Sequence, residues 1–92
     1  MTGVDGELTL YVSGASALSA RAIANVSALC DGHLEGRFRV SIVDVHEDPA
    51  AAVSGQVVAA PTLVKNRPLP ERRVVGDLSD TNKVLRALAL GA

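Results

Sequence analysis

Aromatic residues are almost absent from this chain: it has no tryptophan, and Tyr11 and Phe38 are its only tyrosine and phenylalanine. Proteins hold unpaired nucleic-acid bases by stacking them on aromatic rings, and the formal net charge of -1 provides no basic footprint for phosphates. Nucleic-acid binding is therefore not expected. Hydrophobic residues still make up 48% of the chain, so valine, leucine, isoleucine and alanine must fill the core.

Cysteine is equally scarce. Cys30 is the only one, so an intrachain disulfide is excluded. No run approaches the roughly 20 apolar residues that span a bilayer. Residues 1–6 contain neither the basic nor the apolar region of a signal peptide. We expect a cytoplasmic protein with one domain at residues 8–90, preceded by a flexible leader at residues 1–7.

Strand and helix patterns alternate in the N-terminal half. Residues 8–13 alternate as a strand, and a long helix ending before Gly36 follows, with Ser16 or Ser19 as its N-cap. Its predicted core stripe comprises Leu18, Ala22, Ile23, Val26, Leu29 and Cys30. Residues 39–45 are β-branched and largely apolar, which predicts a central strand covered on both faces.

The C-terminal half predicts a short helix, a hairpin and a last helix. Asp48 is a candidate N-cap with Pro49 as the first helical residue, although residues 57–58 would also suit a strand. Strands at residues 61–65 and 72–75 flank a proline-rich turn, and Ser79 can cap a helix over residues 80–90. The order βαβαββα predicts a thioredoxin-like α/β domain with a mixed four-stranded sheet and helices on both sides.

Catalytic chemistry has little support in the sequence. Redox enzymes of this fold place a thiolate between the first strand and first helix, but that loop holds no cysteine, and Cys30 lies on the apolar side of the helix. His33 and His46 share no metal-ligand spacing with it. We therefore expect no catalytic residue, metal or cofactor, and interpret Asp44 as a hydrogen-bond acceptor at a strand end. An enzyme acting through Cys30 or a serine is the weaker alternative.

Basic residues concentrate near the hairpin. Residues 1–48 hold seven acids and three bases, whereas residues 49–92 hold three acids and six bases. Four of those six are Lys65, Arg67, Arg72 and Arg73. They predict either a cationic patch for an acidic partner or simply a solvated hairpin that resists edge pairing.

Five segments together resemble the KaiB family of circadian clock proteins: LYVSG at 10–14, SARA at 19–22, IVDV at 42–45 with Pro49 after it, APTLVK at 60–65, and RRVVGDLS at 72–79. The resemblance implies a non-enzymatic protein that binds the KaiC ATPase ring and regulates its phosphorylation state. It also implies sequestration of KaiA and competition with a histidine kinase. Lys65, Arg72 and Arg73 match basic partner-binding positions of the family, and charge clustering adds Arg67. A KaiB-like sensor or adaptor outside a true oscillator is the alternative.

The family resemblance further implies two folds: the thioredoxin-like monomer, and a homo-oligomeric ground state, dimer or tetramer, with the order βαββααβ. Helix and strand preferences are ambiguous in residues 50–90, where such a change would occur. Pro61, Pro68 and Pro70 lie within ten residues, and X-Pro bonds isomerise slowly. We expect these prolines, with Gly76 and Asp77, to form the pivot of the fold switch.

Overall fold

A computed structural model describes residues 6–14, 16–34, 37–55, 61–76 and 78–90. It contains seven elements: β1 (Gly6–Val12), α1 (Ala17–Gly32), β2 (Phe38–Asp44), α2 (Pro49–Ser54), β3 (Thr62–Arg67), β4 (Arg72–Val75) and α3 (Thr81–Ala87). This order confirms the predicted βαβαββα arrangement. β1 begins two residues inside the stretch predicted as a leader. Gly36, residues 57–58 and Asp77 lie outside the described residues.

The four strands form one mixed sheet in the order β2-β1-β3-β4. β1 runs parallel to β2, with Leu10 opposite Ile42, and antiparallel to β3, with Leu10 opposite Leu63. The prediction of a central β2 is therefore wrong: among the described strands β2 pairs only with β1, and Ile42 is 54% exposed. β1 is central instead because β3 joins its other edge.

The core lies on one face of this sheet. Alternation along β1 places Leu8, Leu10 and Val12 on that face, where all three are buried. α1 and α3 cover them with apolar side chains that include Ala22, Val26, Leu29, Val84 and Leu88. Each buried leucine contributes about 1.5–3 kcal/mol to stability. We call this side of the sheet the helical face.

α2 lies on the other side of the sheet. Tyr11 alternates with Leu10 and Val12, so its ring lies on the opposite face, and its hydroxyl lies against Gly55 at the end of α2. We call this side the α2 face. Helices thus cover both sides, as predicted. Within the described ranges, none of the helices combines the length and apolarity needed to cross a membrane.

Side-chain caps begin each helix. The Ser16 side chain accepts a hydrogen bond from the amide of Ser19, and the Asp48 side chain accepts one from the amide of Ala51, as their positions predict. The last helix is capped by Asp80 rather than Ser79, since the Asp80 carboxylate accepts from the amide of Lys83. α1 ends at Gly32 with His33 as its C-cap.

One residue of the predicted core stripe lies elsewhere. Leu18 is 50% exposed, whereas the next residue, Ser19, is the one that is buried in the first turn of α1. Ala22, Val26, Leu29 and Cys30 are buried as predicted.

Candidate interaction surface

The junction between β1 and α1 is closed by hydrogen bonds. The Ser13 hydroxyl and the His46 ring nitrogen Nε2 are 2.8 Å apart. Asp44 Oδ1 accepts from the backbone amides of His46 at 2.8 Å and Gly14 at 3.3 Å. These amides, that of His46 foremost, lower the pKa of the Asp44 carboxyl. Asp44 therefore ties the ends of β1 and β2 together, as its strand-end position predicts.

Thiol chemistry is remote from this junction. Cys30 is buried on the core side of α1. Burial raises the pKa of its thiol, and the nearby Asp31 charge adds to the increase. A thiol that stays protonated is a poor nucleophile. In the part of the chain that the structure describes, no three His, Cys, Asp or Glu side chains are grouped to hold a metal.

The basic residues of the β3–β4 hairpin lie on both faces of the sheet. Lys65 pairs with Arg72, and Val64 pairs with Arg73. Lys65 and Arg72 therefore lie on the helical face, while Arg73 lies on the α2 face.

Lys65 is not part of an exposed patch in this fold, and its predicted role in partner binding stays a prediction. Its side chain is 1% exposed. The cause is register: Lys65 lies opposite the buried Leu8 on the covered face, where its aliphatic stem is enclosed. Arg67, Arg72 and Arg73 are exposed, and we call these three the cationic hairpin.

The three arginines have different surroundings. Arg67 ends β3 opposite Glu7, beside the exposed turn at Pro68 and Leu69. Arg72 is exposed at the edge of the helical face. Arg73 donates from Nη2 to the carbonyl oxygen of Gly55 at 3.0 Å and lies 3.9 Å from the Glu71 carboxylate.

Four of the five predicted pivot residues, Pro61, Pro68, Pro70 and Gly76, lie at the two ends of the hairpin. At its base, the amide of Gly76 donates to the carbonyl of Pro61 at 3.0 Å, and Gly76 has a φ of +130°. Leu78 follows with a φ of +64° while its side chain is buried. At the turn, Pro68 and Pro70 are exposed, and each follows a cis peptide bond.

Comparison with known proteins agrees with this architecture and with the signature segments. A family model described as the KaiB domain matches residues 9–90. The chain belongs to the KaiB family. It is 42% identical over 81 residues to the circadian clock protein KaiB3 of Synechocystis, a match that covers 88% of this chain and 79% of that protein. It is 40% identical over 83 residues to the circadian clock oscillator protein KaiB of Synechococcus elongatus, covering 90% and 81%.

Solved structures place this KaiB-family chain among thioredoxin-like folds. The N-terminal domain of SasA from Synechococcus elongatus matches with a TM-score of 0.74 at 21% identity, covering 99% of this chain and 88% of that domain. Thioredoxin from Fasciola hepatica matches with a TM-score of 0.74 at 19% identity, covering 95% and 81%. These likenesses confirm the predicted fold class.

Sequence reasoning missed the part that Gly55 and Tyr11 play in this KaiB-family site. The two residues meet below the end of α2, where Arg73 also contacts the Gly55 carbonyl. Two local signals were available: glycine follows the predicted helix, and the only tyrosine lies at a position that alternates away from the leucines. Neither signal indicates which strand would reach the helix end.

Proposed function

We propose that this KaiB-family chain is a non-enzymatic clock component that binds a KaiC-type ATPase ring and thereby regulates the ring's phosphorylation state. The observation that carries the proposal is identity of about 40% to relatives named as circadian clock proteins, over about nine-tenths of the chain. The raised pKa of the Cys30 thiol and its burial speak against the thioredoxin chemistry that the fold alone would suggest.

Two residues of the cationic hairpin, Arg67 and Arg72, are the proposed contact with the ring. Arg67 and Arg72 expose guanidinium groups that can form paired hydrogen bonds with carboxylates. A basic surface also steers an acidic partner during diffusion, so these residues would raise the association rate. Lys65 is left out of this surface because its side chain is enclosed.

The proposal extends to two further partners. Bound to the ring, the chain would sequester KaiA and would compete with a histidine kinase that carries a KaiB-like sensor domain. The fold shared with the SasA N-terminal domain supports competition, because two chains of one fold can occupy one docking surface.

We also propose that the thioredoxin-like form exchanges with a homo-oligomeric ground state in which the C-terminal half is rearranged. Positive φ values at Gly76 and at Leu78 support a conformational change at the base of the hairpin. A leucine with positive φ is strained, and a different fold could relieve that strain. Two packings of one chain can coexist when they differ by a few kcal/mol.

Binding is tested by incubating the chain with purified KaiC ring and ATP for hours, then measuring mass by light scattering on a sizing column. We expect a co-migrating complex and an altered ring phosphorylation pattern on gels. Arg67→Ala with Arg72→Ala should weaken the complex, whereas Arg21→Ala, which removes an exposed charge from α1, should not. A sizing profile in which ring and chain never co-migrate would refute the proposal.

A further inference from the structure

α2 has few anchors of its own. It is six residues long, and none of its residues is buried. An isolated helix of this length is unstable, so contacts with the rest of the molecule must hold it in place. At its N-terminal end Asp48 caps the helix, and the Asp48 amide donates to the Asp44 carbonyl at the end of β2. Its other end, at Gly55, is the point where side chains of two further strands reach it.

Two side chains from different strands meet at that end. The Tyr11 hydroxyl of β1 lies so close that a Cβ at Gly55 would come within 2.5 Å of it. From β4, Arg73 Nη2 donates to the Gly55 carbonyl at 3.0 Å. The last carbonyls of a helix lack partners in the next turn and carry partial negative charge, so a guanidinium is a favourable partner there.

We propose that Arg73 is a positioning residue that anchors the C-terminal end of α2 to β4, and that it affects ring binding through α2, whereas Arg72 contacts the ring directly. The second half of this assignment rests on the proposed function; the anchoring itself does not. The two arginines are adjacent in sequence, but β-strand alternation turns them to opposite faces, and of the two it is Arg73 that reaches Gly55.

The exposure and contacts of the two side chains distinguish the role of Arg73 from that of Arg72. The Arg73 side chain is 35% exposed, since part of it lies against the sheet and the end of α2, and the Glu71 carboxylate is 3.9 Å away. A guanidinium already engaged within the chain has fewer donors left for a partner. Among the described residues, Arg72, on the helical face, makes no such bridge to α2.

Matched variants test the anchor: Arg73→Ala, the conservative Arg73→Lys, and Arg72→Ala as the control. Amide hydrogen exchange at Gly55, whose N–H donates to the Ala51 carbonyl at 2.9 Å, reports on the end of α2. Tyr11 fluorescence is a second probe, because the chain has one tyrosine and no tryptophan. Amides of Leu10 and Leu63 in the sheet serve as the internal reference.

We expect Arg73→Ala to speed exchange at Gly55 by about fivefold, the effect of losing one hydrogen bond, and to change Tyr11 emission while the reference amides keep their rates. Arg73→Lys should recover part of both signals, since an ammonium group can donate to the same carbonyl. Arg72→Ala should leave both signals unchanged and still weaken ring binding.

Unchanged exchange and emission in Arg73→Ala would overturn the anchor, as would equal loosening by Arg72→Ala. If Arg73→Ala loosens α2 and the ring still binds with full affinity, the positioning role is wrong. If the unsubstituted chain does not bind the ring, the proposed function fails instead, and the exchange and fluorescence measurements still decide whether Arg73 anchors α2.

Discussion

Cys30 is the only thiol of the chain, and the structure buries it on the core side of α1. We predict that an aromatic disulfide reagent labels it at least about tenfold more slowly in the native protein than in urea, because its pKa is raised and the thiolate is the reactive species. Absorbance of the released thiol measures both rates. Equal rates would show that the thiol is accessible and would reopen the redox alternative.

Ala89 occupies a backbone conformation that favours glycine. It has a φ of +59°, its amide donates to the Arg86 carbonyl, and that of Leu90 donates to the Leu85 carbonyl, which together close the end of α3 as a Schellman motif. Ala89→Gly should raise the free energy of unfolding by about 0.5–1 kcal/mol. Urea denaturation measures this change.

Ala87 is the matched control for that substitution, because it is the last residue of α3 and is also exposed. Ala87→Gly should lower the free energy of unfolding by about 0.8–1 kcal/mol, the helix propensity difference between the two residues. Opposite signs would confirm the motif, and a loss at both positions would contradict it.

Asp44 predicts a pH dependence of stability. Hydrogen bonds from the amides of His46 and Gly14 lower its pKa in the folded state, so its stabilising contribution is present above the unfolded value of about 3.9 and is lost as pH falls through the folded value. Asp44→Asn should therefore be less stable at pH 7, with a difference that shrinks below about pH 4. Urea denaturation at both pH values measures it, and a difference that widens on acidification would contradict the prediction.

Individual residues show where sequence reasoning reaches its limit. The caps at Ser16 and Asp48 are predictable because cap and acceptor lie within three residues of each other. Charge alone groups Lys65 with the nearby arginines, but its environment depends on pairing with Leu8, 57 residues earlier in the chain. The contact of Arg73 with Gly55 is likewise long-range, so no local pattern could indicate it.

Whole elements were easier to predict than their places in the sheet. All seven agree with local periodicity, cap or turn signals, although helix and strand preferences are ambiguous in residues 50–90, and their order predicts the fold class. The position of β2 in the sheet does not follow from local sequence, because a β-branched run suits an edge strand as well as a central one. Only the pairing of β1 with β3, between which α1, β2 and α2 lie in the chain, shows that β1 rather than β2 is central.

Close approach between elements makes Gly6 sensitive to substitution. A Cβ there would collide with the Arg67 carbonyl of β3 and with the Phe38 ring of β2. Gly6→Ala should destabilise the protein by about 1–3 kcal/mol, because the strands must separate to make room. Thermal or urea unfolding measures the loss.

Gly32 provides the contrast, because nothing lies within 4 Å of a Cβ built at the end of α1. Gly32→Ala should raise the free energy of unfolding by about 0.5–1 kcal/mol through helix propensity. If both glycines tolerate alanine equally, the close packing at the start of β1 is not as described.

On the scale of the whole molecule, the base of the hairpin governs the proposed exchange between folds. Gly76→Ala should disfavour the thioredoxin-like form by about 1–3 kcal/mol, because a φ of +130° strains any residue with a Cβ, even where space is open. We expect weaker amide NMR signals from the thioredoxin-like form and slower ring binding. Spectra identical to those of the unsubstituted chain would rule out Gly76 as a pivot.

The buried cluster within the described part of the chain consists of leucine, valine and alanine side chains and one cysteine, without a single ring. Branched aliphatic groups of similar bulk can replace one another with little penalty as long as total volume is kept. In such an interior, the total side-chain volume is constrained more strictly than the choice of contacting residues. A polypeptide built this way can exchange one set of core contacts for another and remain well packed, a freedom that interlocking aromatic rings would remove.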